Sequence, residues 1–306
     1  MARTFRPLDG VLLFDKPLEL SSNTALQKVR RLFQAEKAGH TGTLDPLATG
    51  LLPICFGEAT KFSNTLLDAD KTYRTTVRLG QATATGDAEG EVLSSHDVTA
   101  TLEQVEAVLE RFRGASQQLP PMYSALKHEG KPLYEYIRDG VTIERELRDI
   151  IIHELVLHRY SDNELDLSVR CSKGTYIRTL GEDIGAALGC GGHLTALRRT
   201  AIAHLDLQCG YTLEQLAAMS EDERMACLMP VDSLMPDMPK LQLDEVQVKR
   251  MAQGQRLGLD TGLPDGKVSL YGPQGFVGVG LLQGRRLAAD RLLSGIAKQA
   301  AIPSTP

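Results

Sequence analysis

No apolar stretch of this 306-residue chain is long enough to cross a bilayer as a helix, which takes about 20 consecutive residues. The N-terminus, Met1 to Asp9, carries Arg3 and Arg6 but no apolar segment follows, so a secretory signal is not expected. The five cysteines, Cys55, Cys171, Cys190, Cys209 and Cys227, are odd in number and contain no C-x-x-C pair. That argues against a disulfide framework and against a zinc site, and leaves small buried hydrophobes in a reducing compartment, the cytoplasm. There is no G-x-x-x-x-G-K-[ST] phosphate loop, and Gly189-Cys190-Gly191-Gly192 does not complete a G-x-G-x-x-G. None of the seven histidines stands in H-E-x-x-H; His153 and His158, on an apparent strand, have a spacing that turns them to opposite faces. Neither a cofactor nor a metal is implied, and no internal repeat stands out.

What is present is the balance of an ordinary soluble protein, 42% hydrophobic and 24% charged. Such a chain buries a sizeable core without staples, and its length suggests two domains. The net charge of −5, from 34 basic and 39 acidic residues, argues at first sight against nucleic acid. A nucleic-acid site needs only a local basic stripe, however, and two stretches qualify. One carries Lys71, Arg74 and Arg78, the other Arg170, Lys173 and Arg178, with no acid inside either. Each is either a phosphate contact or a strand edge guarded against pairing.

Gly10–Phe14 reads as a buried strand. Ser21, Ser22 and Asn23 are candidate caps for a helix with Leu26, Val29 and Phe33 on one face and Arg30 and Arg31 outside. Leu51–Phe56 is a second strand and Glu58–Leu67 a short helix. From Thr72 to Leu79 the residues alternate: Tyr73, Thr75, Val77 and Leu79 share one face, Thr72, Arg74, Thr76 and Arg78 the other. Leu102, Val105, Leu109 and Phe112 recur at helical spacing. Leu119–Gly140 mixes Tyr123, Lys127, Lys131, Tyr134 and Arg138, which suits an RNA-touching excursion or a plain connection. Ile150–Leu157 and Leu165–Cys171 pair as strands, and Thr175–Leu188 is a helix closed by Gly189. Strands and helices in no regular βαβ order indicate α+β. Met229–Pro239, rich in Met, Pro and Asp, reads as a linker to a small β module with strands near Val268–Leu270 and Phe276–Leu282.

One loop stands apart, Gly39-His40-Thr41-Gly42-Thr43-Leu44-Asp45-Pro46, whose glycines permit tight turns and close approach of another backbone. Asp45 is its one carboxylate. It is a catalytic acid or the start of an Asp-Pro turn, and spacing leaves both open.

Five strings then carry a resemblance: GVLLFDKP (10–17), GHTGTLDPLATGLLPICFGEATKF (39–62), KTYR (71–74), LPPMYSALKHEGKPLYEYIRDG (119–140) and CSKGTYIRTLGEDIG (171–185). In content and order they resemble the TruB family of bacterial tRNA pseudouridine synthases, over most of the chain. The resemblance implies an α+β, mixed-sheet catalytic domain over 1–235 with an RNA-binding insert at about 119–150, and a PUA-like RNA-binding β domain over 240–300. It implies conversion of uridine-55 in the tRNA T-loop to pseudouridine, by a monomer with no cofactor, no metal and no obligatory protein partner.

Position by position, the resemblance makes Asp45 the catalytic carboxylate. Tyr73 stacks on the target uracil and relays its C5 proton, and Arg178 ion-pairs with Asp45. His40 lies next to the flipped nucleotide, Asp87 joins the same network, and Leu197 sits beneath the base. Lys16 and Pro17 support the tyrosine, while Lys71, Arg74 and Lys173 hold T-arm phosphates. One departure stands out: Glu19 replaces the glycine usual two residues after Lys-Pro, so the loop is expected to turn differently there. The rival readings are a non-catalytic tRNA-binding or tRNA-folding protein, a base-releasing RNA glycosidase, and a guide-RNA-dependent relative that needs companion proteins.

Overall fold

The computed structural model describes residues 5–296; Arg3 and residues 297–300 of the expected second domain lie outside the described residues. The apolar run at Gly10 needs cover on both faces, and β1 (Gly10–Lys16) is buried along almost its whole length. Helix α1 (Ser22–Leu32) follows, capped by Ser21, whose hydroxyl accepts from the Thr24 backbone N–H. Then come β2 (Ala38–His40) and β3 (Ala48–Phe56). The expected helix at 58–67 is split into a 3₁₀ turn, Gly57–Lys61, and the single turn α2 (Asn64–Leu67). Strand β4 (Lys71–Leu79) leads into a ribbon of β5 (Gln81–Thr83) and β6 (Val92–Ser95). Helix α3 (Leu102–Phe112) buries Val105, Val108 and Leu109 but leaves Leu102 exposed.

From β7 (Gly114–Gln118) the chain leaves the sheet for β8 (Lys127–His128), β9 (Lys131–Pro132) and α4 (Leu133–Arg138). It returns through β10 (Arg148–Ser161), which pairs with β7 and so pins both ends of the excursion. Next are β11 (Glu164–Cys171), α5 (Ile177–Ala187), β12 (Gly192–Ile202) and β13 (Leu205–Asp206). Two short helices, α6 (Leu213–Ala218) and α7 (Glu221–Ala226), precede a smaller unit. That unit holds β14 (Lys240–Gln242), α8 (Glu245–Ala252), β15 (Leu257–Gly258), β16 (Gly266–Gly272), β17 (Gly275–Gln283) and β18 (Arg286–Leu292).

The main sheet has nine strands, along the path β1-β3-β12-β4-β11-β10-β7 with β2 and β13 to the side. It is mixed, because β12 runs parallel to β3 and antiparallel to β4. Alternate residues of β1 feed two cores: Leu12 and Phe14 join the large one under α1, α3 and α5, while Val11 and Leu13 join a second on the other side. The second sheet has five strands in the order β14-β16-β17-β18-β15 around its own core.

The expected linker is not loose. Met229 pairs with Val11 along the open edge of β1, at 2.9 and 2.8 Å, and Leu234 and Met235 are buried. Its Met-rich composition marks packing against the sheet, not solvation. The smaller unit is fastened to the same place: Phe62 meets Phe276 edge to face at 5.6 Å, and Val279 belongs to the second core of the main sheet. Three of the cysteines, Cys55, Cys171 and Cys190, are buried as expected; Cys209 is exposed and Cys227 half-buried. Among the described residues no helix is long and apolar enough to cross a membrane.

Candidate active site

The site forms where the centre of the sheet meets the turn that enters β3 and the first turn of α5. Register sets Tyr73 of β4 opposite Arg199 of β12, and Thr75 opposite Leu197. Because β3 runs parallel to β12, with Ala48 beside Leu197, the turn that enters β3 stands next to these side chains. Four groups hold that turn. The Ser22 hydroxyl accepts from the Leu44 N–H at 2.7 Å and donates to the Leu44 carbonyl at 2.9 Å. Lys16 Nζ donates to the Pro46 carbonyl at 3.4 Å, the Glu19 N–H reaches the same oxygen at 3.0 Å, and Arg199 donates to the Gly42 carbonyl at 3.1 Å. Gly42 has φ of 103°, a conformation that side chains resist.

Asp45, Tyr73, Arg178, Leu197 and Lys71 line one open cleft of about 420 Å³, a volume usual for a small-molecule site. Arg178 Nε lies 3.0 Å from Asp45 Oδ2 and 3.7 Å from Asp87 Oδ2. The rest of its fork donates to the carbonyls of Thr85 at 2.8 Å and Tyr123 at 2.6 Å, so every arm of the guanidinium is committed. The Arg178 and Asp87 side chains are each 5% exposed, whereas that of Asp45 is 40% exposed at the cleft. The deeply buried partner of Arg178 is therefore Asp87, which also accepts from the Thr85 hydroxyl at 2.5 Å and the Glu89 N–H at 3.1 Å. Asp45 remains available to a ligand.

Other expected residues are placed differently. His40, half-buried on β2, is not among the cleft-lining residues; its Nδ1 is enclosed without a partner, and burial followed by the Arg199 charge lowers its pKa. The imidazole is thus kept neutral. Lys16 is fully buried and donates to the carbonyls of Pro17, Leu20 and Pro46, so it braces the Asp45 turn and not Tyr73. Burial pulls its pKa down to about 8 against the opposing charge of Asp45. Lys71 does not reach out to phosphate: its ammonium is consumed by the carbonyls of Leu66, Leu67 and Ala69, and burial lowers its pKa to about 8. Arg74 is exposed on the sheet face opposite Tyr73, 3.4 Å from the Ser168 hydroxyl, and so turns away from the cleft. Lys173 is exposed beside the cleft residues Ser172 and Gly174, in a surface pair with Asp68 at 2.8 Å. Glu19 takes φ of 69°, in the left-handed region that glycine favours.

Sequence reasoning missed three contributors. Arg199 looks like half of a surface Arg-Arg pair, and only its β-strand parity with Leu197 hints that it points inward. Tyr176 lines the cleft, and Gln118 clamps its backbone from both sides at 2.8 and 3.0 Å. The excursion after β7 supplies Ser124, Ala125 and Leu126 to the cleft wall, besides the Tyr123 carbonyl for Arg178. It is part of the site itself, a contact that its mix of bases and aromatics does not announce.

Comparison with known proteins covers nearly the whole chain. Residues 30–177 match the model of the TruB family pseudouridylate synthase N-terminal domain. Residues 178–236 match the tRNA pseudouridylate synthase B C-terminal domain, and 239–293 the C-terminal model of pseudouridine synthase II TruB. The chain is 54% identical over 302 residues to tRNA pseudouridine synthase B of Ralstonia pickettii, covering 94% of this chain and 95% of that protein. It is 53% identical over 292 residues to the protein of the same name in Methylobacillus flagellatus, covering 95% and 97% respectively. Among solved structures it resembles a chain of a Cbf5-Nop10-Gar1 complex, with a TM-score of 0.72 and 24% identity over 92% of this chain and 84% of that one, a likeness of fold.

Proposed function

The chain belongs to the TruB family of pseudouridine synthases and forms pseudouridine in tRNA; from that premise we propose that its target is uridine-55 of the T-loop and that Asp45 is the catalytic carboxylate. The observation that carries the assignment is the 3.0 Å contact between Arg178 Nε and Asp45 Oδ2 in the cleft that Tyr73 also lines.

The reaction breaks C1′–N1, turns the uracil and joins C5 to C1′, with nothing gained or lost, so protein side chains suffice. A carboxylate serves either as nucleophile or as counter-charge to cationic character at C1′. Asp45 has the exposure to meet the sugar, and Arg178, anchored by two carbonyls and Asp87, has the rigidity to aim it. Extruding the base costs a few kcal/mol, and stacking on an aromatic face returns about 1–3 kcal/mol. Tyr73 is the face proposed for this, with Leu197 beneath. Lys173 and the bases of the excursion are the proposed phosphate contacts, which makes binding strongly salt-dependent despite the acidic total charge.

The catalytic reading is favoured over a binding or folding protein of the same fold, since a pure clamp has no use for a buried arginine aimed at a half-exposed carboxylate. We assign the unit over 240–300 a PUA-like role in holding RNA, and residues 1–235 the catalytic one. The protein acts as a cytoplasmic monomer. Asp45→Asn is expected to abolish pseudouridine formation on a T-arm transcript while leaving transcript binding within about threefold. Chemical mapping of the product reports reaction and position together, and normal turnover by the variant would remove Asp45 from the mechanism.

A further inference from the structure

Three cations are buried around the cleft with no carboxylate within ion-pair distance among the described residues: Lys16, Lys71 and Arg199, at 0%, 8% and 2% exposure. Buried charges are ordinarily paired, because desolvation is costly. The two lysines are accounted for, each donating to three backbone carbonyls. Arg199 is not. Its Nε donates to the Leu51 carbonyl at 2.8 Å and its Nη2 to the Gly42 carbonyl at 3.1 Å, which ties β3 to the Asp45 turn. Arg199 stands directly across the β4–β12 ladder from Tyr73, and both residues line the wall of the cleft. The chain is built to keep it there: a Cβ on Gly50, at φ of 99°, would stand 2.3 Å from the Arg199 carbonyl.

We propose that Arg199 is a positioning residue of the pseudouridine reaction, which holds a permanent charge against the Tyr73 hydroxyl and makes that oxygen a competent acceptor for the uracil C5 proton. The proposal rests on the reading of Tyr73 above. After C5 has joined C1′, the C5–H bond breaks and its electron pair restores the ring double bond. The proton passes to the Tyr73 oxygen, which has already given its own proton to solvent, and N1, made basic as the C5–H pair enters the ring, takes a proton from solvent. Burial pushes the phenol up, and Arg199 is the largest influence in the opposite direction; Cys171 of β11 and Asp45 work with burial. Lys71, on the same strand and inside the same wall, is turned to its three carbonyls. A guanidinium suits the task because it never deprotonates and donates only.

The test uses the full chain with ¹³C-labelled tyrosine, the Tyr73 resonance being assigned by its loss in Tyr73→Phe. Arg199→Met should raise the Tyr73 titration by about one unit or more, and move the rising limb of the single-turnover pH profile on a T-arm transcript equally. That is about a tenfold loss of rate at neutral pH, with transcript binding nearly unchanged. Arg199→Lys, which keeps the charge but not the fork, should recover part of both. If Arg199→Met does not fold, Arg199→Gln replaces it. An unmoved Tyr73 titration, or a rate loss that persists undiminished as pH rises through the Tyr73 titration, would overturn the proposal and leave Arg199 a structural brace. Failure of the Asp45 assignment would show separately, as turnover by Asp45→Asn, whereas the titration is read in the free protein.

Discussion

At the scale of single residues, the site is a set of donors whose every arm is committed except where substrate must enter. Arg178 spends its fork on two carbonyls and two carboxylates, and only Asp45 is left half open. This follows from the chemistry of arginine, whose planar fork matches several acceptors at once. Glu19 shows the converse, a residue at odds with its backbone. A non-glycine residue in the left-handed region costs about 1–2 kcal/mol, and glycine returns roughly half of that gain as unfolded-state freedom. Glu19→Gly is therefore expected to stabilise the protein by about 0.5–1 kcal/mol, read as a shift of the urea midpoint at constant slope. The side chain is exposed and makes no hydrogen bond among those described, so a destabilising result would mean that the turn is not held as observed.

Elements place what residues perform. Helix α5 delivers Arg178 because it can approach the sheet closely: a Cβ on Gly185 would sit 2.2 Å from the Gly191 carbonyl carbon and the Gly192 nitrogen. That glycine reads in sequence as an unremarkable helix interior, since close approach to a distant strand leaves no local pattern. Lys71 is the other case. Sequence puts it in a basic stripe, but β-strand parity turns it inward to the carbonyls at the end of α2. Between about 8 and its ordinary value of 10.5, Lys71 binds fewer protons folded than unfolded, so the stability it contributes rises with pH across that window. The stability difference between wild type and Lys71→Met should then grow from pH 8 to pH 10, by at most about 1.4 kcal/mol per unit. Chemical denaturation at several pH values checks this, and a flat difference would mean that folded Lys71 holds its proton as tightly as the unfolded chain does.

On the scale of the whole molecule, the five-stranded unit is fastened to the catalytic sheet by specific contacts. Tyr271 of β16 donates to Asp232 Oδ2 at 2.7 Å, in the segment that hydrogen-bonds to β1. Burial, with Asp232, pushes the Tyr271 phenol up to about 12, so it keeps its proton throughout the neutral range. Lys61 adds hydrogen bonds to the Leu292 carbonyl at 3.0 Å and the Ser294 hydroxyl at 2.8 Å. Tyr271→Phe should cost about 1–2 kcal/mol, the usual worth of a hydrogen bond to a charged group when partly solvated. Turnover at saturating tRNA should not change, because nothing at Tyr271 touches the Asp45 turn. A variant that lost turnover with stability intact would show that the smaller unit communicates with the cleft.

The sequence alone determined the element types, the α+β class and the family, because strand alternation, helix spacing and contiguous motifs are local signals. It also named Asp45, Tyr73 and Arg178, which lie in three of those motifs. Tertiary structure decided the rest. Only the crossing of β12 between β3 and β4 brings Arg199 to Tyr73, and only the return of the chain to the main sheet seats Met229 on the edge of β1. Which charges are buried, and which of those meet another charge, depends on register and on neighbours more than a hundred residues apart, and no local pattern of residues encodes that.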